Sequence, residues 1–181
     1  SMASEFASLL RQDLDVESLL RTCLEFVLTR TGPTNAAIFL PSNHSDYSLG
    51  AYVNYDCPRD SAEVLLDHLA DVLAPRVDRL DGLLEAPDDA GIERLLGTDD
   101  AHWLAGTRAM AYPCRQDGEC LAVLVLFRDR AKPYPEALAT ELRILGDVFG
   151  QRLARVIRIH HRHKPDKTWL DFGDDSEDLA A

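Results

Sequence analysis

Ala109–Phe127 reads Ala-Met-Ala-Tyr-Pro-Cys-Arg-Gln-Asp-Gly-Glu-Cys-Leu-Ala-Val-Leu-Val-Leu-Phe. Two apolar runs flank one turn, and the turn holds Asp117-Gly118. Asp-Gly between apolar runs predicts a β-hairpin, because both central positions of a type I′ turn need φ > 0. The second run, Leu121–Phe127, is apolar at all seven positions. A strand covered on both faces reads this way. A buried helix segment reads similarly, but the short length and the Val and Phe content favour strand. The chain therefore predicts a central hairpin with a layer on each face.

Composition sets the frame around it. At 181 residues the chain predicts one domain with extensions, long enough to bury a sizeable core. No run of about 18 apolar residues occurs, so no membrane span is expected. The N-terminus lacks a basic-then-apolar signal pattern, which reads as cytoplasmic. Ser1 precedes Met2 and is set aside from fold reasoning. The net charge of −12 argues against nucleic acid and anionic membrane as partners. Charge is uneven. Residues 165–181 carry six acids against Lys167, whereas Arg152–Lys164 carries five basic residues and three histidines with no acid.

Of the four cysteines, Cys23, Cys57, Cys114 and Cys120, no two form Cys-x-x-Cys. In a cytoplasmic chain this predicts reduced thiols. A two-residue turn at Asp117-Gly118 pairs Cys114 with Leu121 and puts the Cys114 and Cys120 thiols on opposite faces. A three-residue loop would set the two thiols opposite each other.

Working outward from the hairpin, Ser4–Arg30 has apolar residues at helical spacing, with Asp13 or Asp15 able to cap an inner segment. Thr31-Gly32-Pro33 stops it. Asn35–Pro41 and Tyr47–Tyr55 predict two strands and a second hairpin, with Tyr52 and Asn54 on one face. A helix is expected from Arg59-Asp60-Ser61 to Ala74, ending at Pro75. Arg76–Leu84 reads equally as a short strand or a helical turn. Ile92–Leu96 is helical, and Gly97-Thr98-Asp99-Asp100 has capping potential for His102-Trp103-Leu104. After a charged loop, Leu138, Leu142, Leu145, Phe149, Leu153 and Val156 form a stripe. It predicts a helix of roughly 28 residues from Pro135 to Arg162, long for a globular helix. Pro165 ends it, and the acidic remainder reads as disordered apart from Trp169-Leu170-Asp171-Phe172.

This order is an α+β arrangement, GAF/PAS-like. A central antiparallel sheet carries the N- and C-terminal helices on one face and connecting helices on the other. Leu19–Leu40, Ala111–Phe127 and Tyr134-Pro135-Glu136 with Leu138, Leu145 and Phe149 together resemble the GAF domain family. They match its entry helix and first strand, its apolar-Pro, Gly-turn, apolar-strand signature, and its closing helix. The boundaries expected are 1–15 for an N-terminal helical extension, 16–160 for the GAF-like domain and 161–181 for the tail. The chain departs from the family where members often have Gly two residues into the last strand; here Leu121-Ala122 stands. The Asn-Lys…Phe…Asp-Glu pattern of cyclic-nucleotide-binding members is absent. No Cys precedes a His, as bilin attachment usually needs, and the clustered cysteines of methionine sulfoxide reductase members are missing.

The resemblance implies a ligand pocket between the sheet and the middle helices. Tyr52, Asn54, Trp103, Arg108 and Tyr112 are the aromatic and polar residues nearest that position. Either they line the pocket, or they fill the core with polar tips at the surface. One face of the hairpin is expected to serve that pocket through Arg108 and Tyr112, and the other to serve the terminal helices. The resemblance also implies a homodimer through those helices, which carry more apolar surface than one sheet face needs. The interface residues expected are Leu20, Val27, Leu142, Leu145, Phe149, Leu153 and Val156.

Other chemistry is poorly supported. His160 and His163 share a helix face, but no local ligands complete a metal site, and a basic helix end suits the macrodipole. No nucleophile elbow or phosphate loop occurs. No cofactor and no metal are expected. The expected function is a cytoplasmic, dimeric sensory or regulatory module that binds a small ligand and signals through its terminal helices. The alternative is an interaction adaptor that recruits a partner protein through Trp169–Phe172 and the helical face. A thiol-dependent reductase is the third reading.

Overall fold

The computed structural model describes residues 1–42, 44 and 46–163. The tail from residue 164 onward, with the expected docking motif Trp169–Phe172, lies outside the described residues. The elements are α1 (Met2–Leu10), α2 (Val16–Thr31), β1 (Asn35–Pro41), β2 (Tyr47–Val53), α3 (Arg59–Arg79) and β3 (Leu84–Ala86). They continue with α4 (Asp89–Leu96), a 3-10 turn (Ala101–Leu104), β4 (Thr107–Gln116), β5 (Glu119–Asp129) and α5 (Leu138–His163). One five-stranded sheet runs β2-β1-β5-β4-β3, with every neighbouring pair antiparallel.

The hairpin is present, and Asp117 and Gly118 take φ of 54° and 81°, as a type I′ turn demands. Gln116 pairs with Glu119 and Arg115 with Cys120, but Cys114 pairs with Ala122. Leu121 is therefore the extra residue of a β-bulge, correcting the expected Cys114–Leu121 pair. Cys114 faces one layer and Cys120 the other, and all four cysteines are free thiols.

β5 sits at the centre of the sheet and is buried from Ala122 to Arg128. Alternate residues of β4 and β5 feed two separate cores. Met110, Tyr112, Cys114, Leu124 and Leu126 pack with α1, α2 and α5. Ala109, Ala111, Val123, Val125 and Phe127 pack with α3 and α4. The two-sided α+β arrangement read from the sequence is the one observed.

α2 is capped by Asp15, whose carboxylate accepts from the Ser18 amide at 2.8 Å, and ends at Gly32 with φ of 73°. α1 packs against α2 and α5 and buries Phe6 and Leu10 completely. Burying two such side chains contributes roughly 3–6 kcal/mol, which offsets the poor intrinsic stability of a nine-residue helix. Arg152 of α5 holds the end of this segment, donating to the carbonyls of Arg11 and Asp13 at 3.3 and 3.2 Å.

This packing corrects the expected dimer interface. Leu20, Val27, Leu142, Leu145, Phe149, Leu153 and Val156 are all buried inside the chain's own core. The apolar surface of these seven residues is taken up by α1, by the neighbouring helices and by the sheet.

Other boundaries shift for physical reasons. α3 continues through Pro75 to Arg79 instead of stopping at Ala74, with Leu73, Ala74 and Val77 fully buried on either side of the proline. The ambiguous stretch Arg76–Leu84 divides: Arg76–Arg79 form the last turn of α3, and β3 begins only at Leu84. α5 begins at Leu138 and runs through His163, so the helix enters the stretch read as tail. No helix among the described residues is long and apolar enough to cross a membrane.

Candidate functional site

The five residues expected to line a pocket do not converge. Tyr52 pairs with Ala37 across β1–β2 and packs on the α3–α4 layer. Asn54 lies beyond the end of β2, where its side chain donates to the Cys57 carbonyl and accepts from the Cys57 amide, both at 3.0 Å. Trp103 stacks on His68 of α3 with ring centroids 4.3 Å apart, and His68 Nε2 lies 3.0 Å from Asp100 Oδ1. Arg108 and Tyr112 belong to the opposite layer. Arg108 Nε donates to the Arg130 carbonyl at 2.9 Å, and the Tyr112 hydroxyl donates to Asp147 of α5 at 2.7 Å. The cause is strand parity: even-numbered residues of β4 point at α5. The space between the sheet and α3–α4 is filled by Phe39, Leu69, Leu73, Ile92 and Phe127.

A smaller cleft opens at the end of that layer. It measures about 330 Å³ and is lined by Asn35, Asp56, Cys57, Leu65, Trp103 and Phe127, among others. Asn35 organises one wall. Its Oδ1 accepts from the Tyr55 amide at 2.8 Å and the Asp56 amide at 3.3 Å. Its Nδ2 donates to Asp56 Oδ1 at 2.7 Å and to the Phe127 carbonyl at 3.1 Å. The Tyr52 hydroxyl stands behind this wall, 3.5 Å from Asn35 Oδ1. Cys57 is half-buried; burial pushes its thiol up, although the Tyr52 hydroxyl works against that. Such a thiol is a poor nucleophile near neutral pH. What the cleft offers is an aromatic edge, an apolar floor and fixed polar groups, the means to bind a small molecule.

No protein-family model and no curated protein matches this chain. Solved structures do. The GAF domain of an Acinetobacter phosphoenolpyruvate-protein phosphotransferase superposes with a TM-score of 0.65 at 15% identity, covering 87% of this chain and 93% of that one. The chain has the GAF fold. A GAF domain/HD domain protein from Geobacter sulfurreducens gives 0.61 at 15% identity over 79% of this chain and 94% of that one. The chromophore-binding domain of a bacteriophytochrome from R. palustris gives 0.64 at 9% identity, over 88% of this chain and 61% of that one.

In this GAF fold the cleft connects to α5 through side chains that sequence reasoning missed. Thr34, next to Asn35, shares a hydrogen bond with the Tyr134 hydroxyl at 2.8 Å and donates to the Phe127 carbonyl at 3.1 Å. Arg128, buried at the end of β5, donates to the carbonyls of Thr31, Pro33, Lys132 and Pro133 at 2.6–3.0 Å. Its guanidinium lies 4.1 Å from the centroid of the Tyr134 ring. Burial pushes the Tyr134 hydroxyl up to about 12, so it stays protonated at neutral pH. One cation thus joins the entry to β1 and the loop leading into α5. An arginine directly after the apolar run to Phe127, with a Pro-Tyr-Pro loop beyond it, was the available signal, but its carbonyl partners cannot be read from sequence.

Proposed function

We propose that the chain is a non-catalytic sensory or regulatory module of the cytoplasm. In this reading a small ligand enters the cleft at Asn35, Cys57 and Trp103 and alters the 54–57 loop. The change passes through Asn35 and Thr34 to Tyr134, Arg128 and the start of α5. The observation that supports it most is the double role of the Thr34-Asn35 pair, which holds the cleft wall with one side chain and the α5 entry loop with the other. The R. palustris neighbour is described as binding a chromophore, which is a precedent for ligand binding on this fold.

Signalling in this reading uses a homodimer, with the contact moved to the outer side of α5. Ile144 and Ile159 are exposed there and Val148 is half-buried, on a face that α1 and the sheet leave free. A second reading, a protein-interaction adaptor, draws on the side chains that fill the space beneath the sheet. It recruits a partner protein through Trp169–Phe172.

The test uses the full chain with Trp169→Phe, so that Trp103 is the sole tryptophan. Melting temperature and Trp103 emission are followed with cyclic mononucleotides, amino acids and a linear tetrapyrrole. A ligand that raises Tm and shifts Trp103 emission, with both effects lost in Asn35→Ala, supports the sensor. No response to any probe favours the adaptor. Light scattering at high concentration giving a mass near the 20.2 kDa of one chain removes the dimer.

A further inference from the structure

A second cleft lies between α3 and α4, apart from the one at Trp103. Leu80, Leu84 and Leu95 line it together with Arg76, Arg79 and Arg94, and its volume is about 380 Å³. Among the described residues, none of the three guanidiniums lies within 4.0 Å of a carboxylate oxygen. Glu85 also lines the cleft, so three positive groups face one negative group in a chain of net charge −12.

Arg76 lies close against the end of α4. It is half-buried, and its Nη2 would lie 3.0 Å from a Cβ on Gly97, the residue that caps α4 with φ of 89°. Gly97 therefore serves two needs, a left-handed cap and the close approach of this guanidinium. Each of the three arginines sits in the last turn of its own helix, where the macrodipole favours a cation. That preference explains them singly. It does not explain why residues from two helices meet over three leucines.

We propose that this cleft binds a small organic phosphate monoester with an apolar or aromatic body. Planar guanidiniums take phosphate oxygens in pairs and with good geometry. The leucines suit the body of such a ligand, and the volume is at the small end for ligand sites. Glu85 provides an acceptor for a hydroxyl or amine on the body. A carboxylate ligand would meet the same charges with fewer acceptor oxygens.

The experiment titrates phenyl phosphate into the full chain and follows the arginine Nε–H resonances by NMR. Inorganic phosphate and phenol are the comparison probes. Saturable shifts of Arg76, Arg79 and Arg94 are expected, with phenyl phosphate binding about tenfold or more tighter than inorganic phosphate. Phenol should leave the three resonances in place. Arg79→Gln with Arg94→Gln should weaken phenyl phosphate about tenfold or more, whereas the exposed control pair Arg143→Gln with Arg155→Gln binds like the parent. Equal weakening in the control pair, or no saturation by about 10 mM, overturns the site in favour of diffuse surface attraction. The full chain carrying Asp171→Asn, Asp174→Asn and Asp175→Asn gives the other decisive outcome. If the three resonances move in that variant without any phosphate present, the cleft belongs to the chain's own acidic tail and the small-ligand site is overturned.

Discussion

The ring of Tyr112 occupies the space that a side chain at Gly146 would need. A Cβ at Gly146 would sit 2.3 Å from two ring carbons of Tyr112, while the Tyr112 hydroxyl reaches one residue further to Asp147. Sheet and α5 approach closely here because the helix has no side chain at that point. Gly→Ala in a helix interior ordinarily stabilises by about 0.5–1 kcal/mol. Here the clash should reverse the sign, and Gly146→Ala should cost about 1–3 kcal/mol in denaturant unfolding. Adding Tyr112→Leu should recover part of the loss. A stabilised Gly146→Ala would show that the contact does not hold.

Arg128 should resist replacement even by lysine. Its four carbonyl acceptors need a planar fork, and an ammonium with three donors on one nitrogen cannot span them. Arg128→Lys should cost about 2–4 kcal/mol. Hydrogen exchange should quicken at residues 31–35 and 127–134 before it does elsewhere. Uniform quickening would mean that Arg128 supports the whole fold and has no special part in joining β1 to α5.

The wall residue Asn35 gives a more local result. Asn35→Ala leaves the Tyr55 and Asp56 amides without their acceptor, at a cost of about 1–3 kcal/mol. Trp103, across the same cleft, should then become more accessible to acrylamide in the Trp169→Phe background, while the Tyr112–Asp147 contact in the other layer persists.

Alkaline pH should destabilise the chain through its thiols. Burial pushes Cys23 and Cys114 well above the ordinary thiol value of 9.0, so both stay protonated in the folded protein after their unfolded counterparts ionise. The unfolded state then binds fewer protons, and stability falls as pH rises. Their contribution is complete below about pH 9 and declines above it, by up to about 1.4 kcal/mol per pH unit for each thiol. Unfolding at pH 8, 9 and 10 measures the slope, and Cys23→Ala with Cys114→Ala should flatten it. A thiol reagent near neutral pH should find Cys57 ahead of Cys23 and Cys114.

The parts of the fold visible in the sequence are those written in local patterns. Asp117-Gly118 announces the hairpin, the unbroken apolar run to Phe127 announces a doubly covered strand, and the Leu138–Val156 stripe announces α5. What the patterns hide is which layer each residue meets. A strand apolar on both faces carries no mark to say that Arg108 and Tyr112 look toward α5. Helical spacing is equally silent on whether Leu142 or Phe149 is buried by its own chain or by another. Pro75 misled because tertiary burial of Ala74 and Val77 outweighs the local cost of a proline in the helix. Asn35 and Arg128 were invisible for a different reason: their partners are amides and carbonyls, which every residue carries. Of the residues expected at the candidate site, Trp103 lines the cleft, whereas Tyr52 stands behind its Asn35 wall and Asn54, outside it, bonds to Cys57; the polar groups linking the cleft to α5 were not among those expected.

Arg115 has a consequence at the margin of the sheet. It donates to the carbonyls of Asp78 and Leu80 and lies 3.6 Å from the carboxylates of Asp78 and Asp81, securing that segment to the part of β4 that the three-residue β3 does not reach. Exposed strand margins are where proteins fuse into fibrils, and very short outer strands and charged side chains are common protections against it. At its β3 side this sheet has both, so loss of Arg115 should show first as a slow increase in aggregation on storage, with little change in the melting curve.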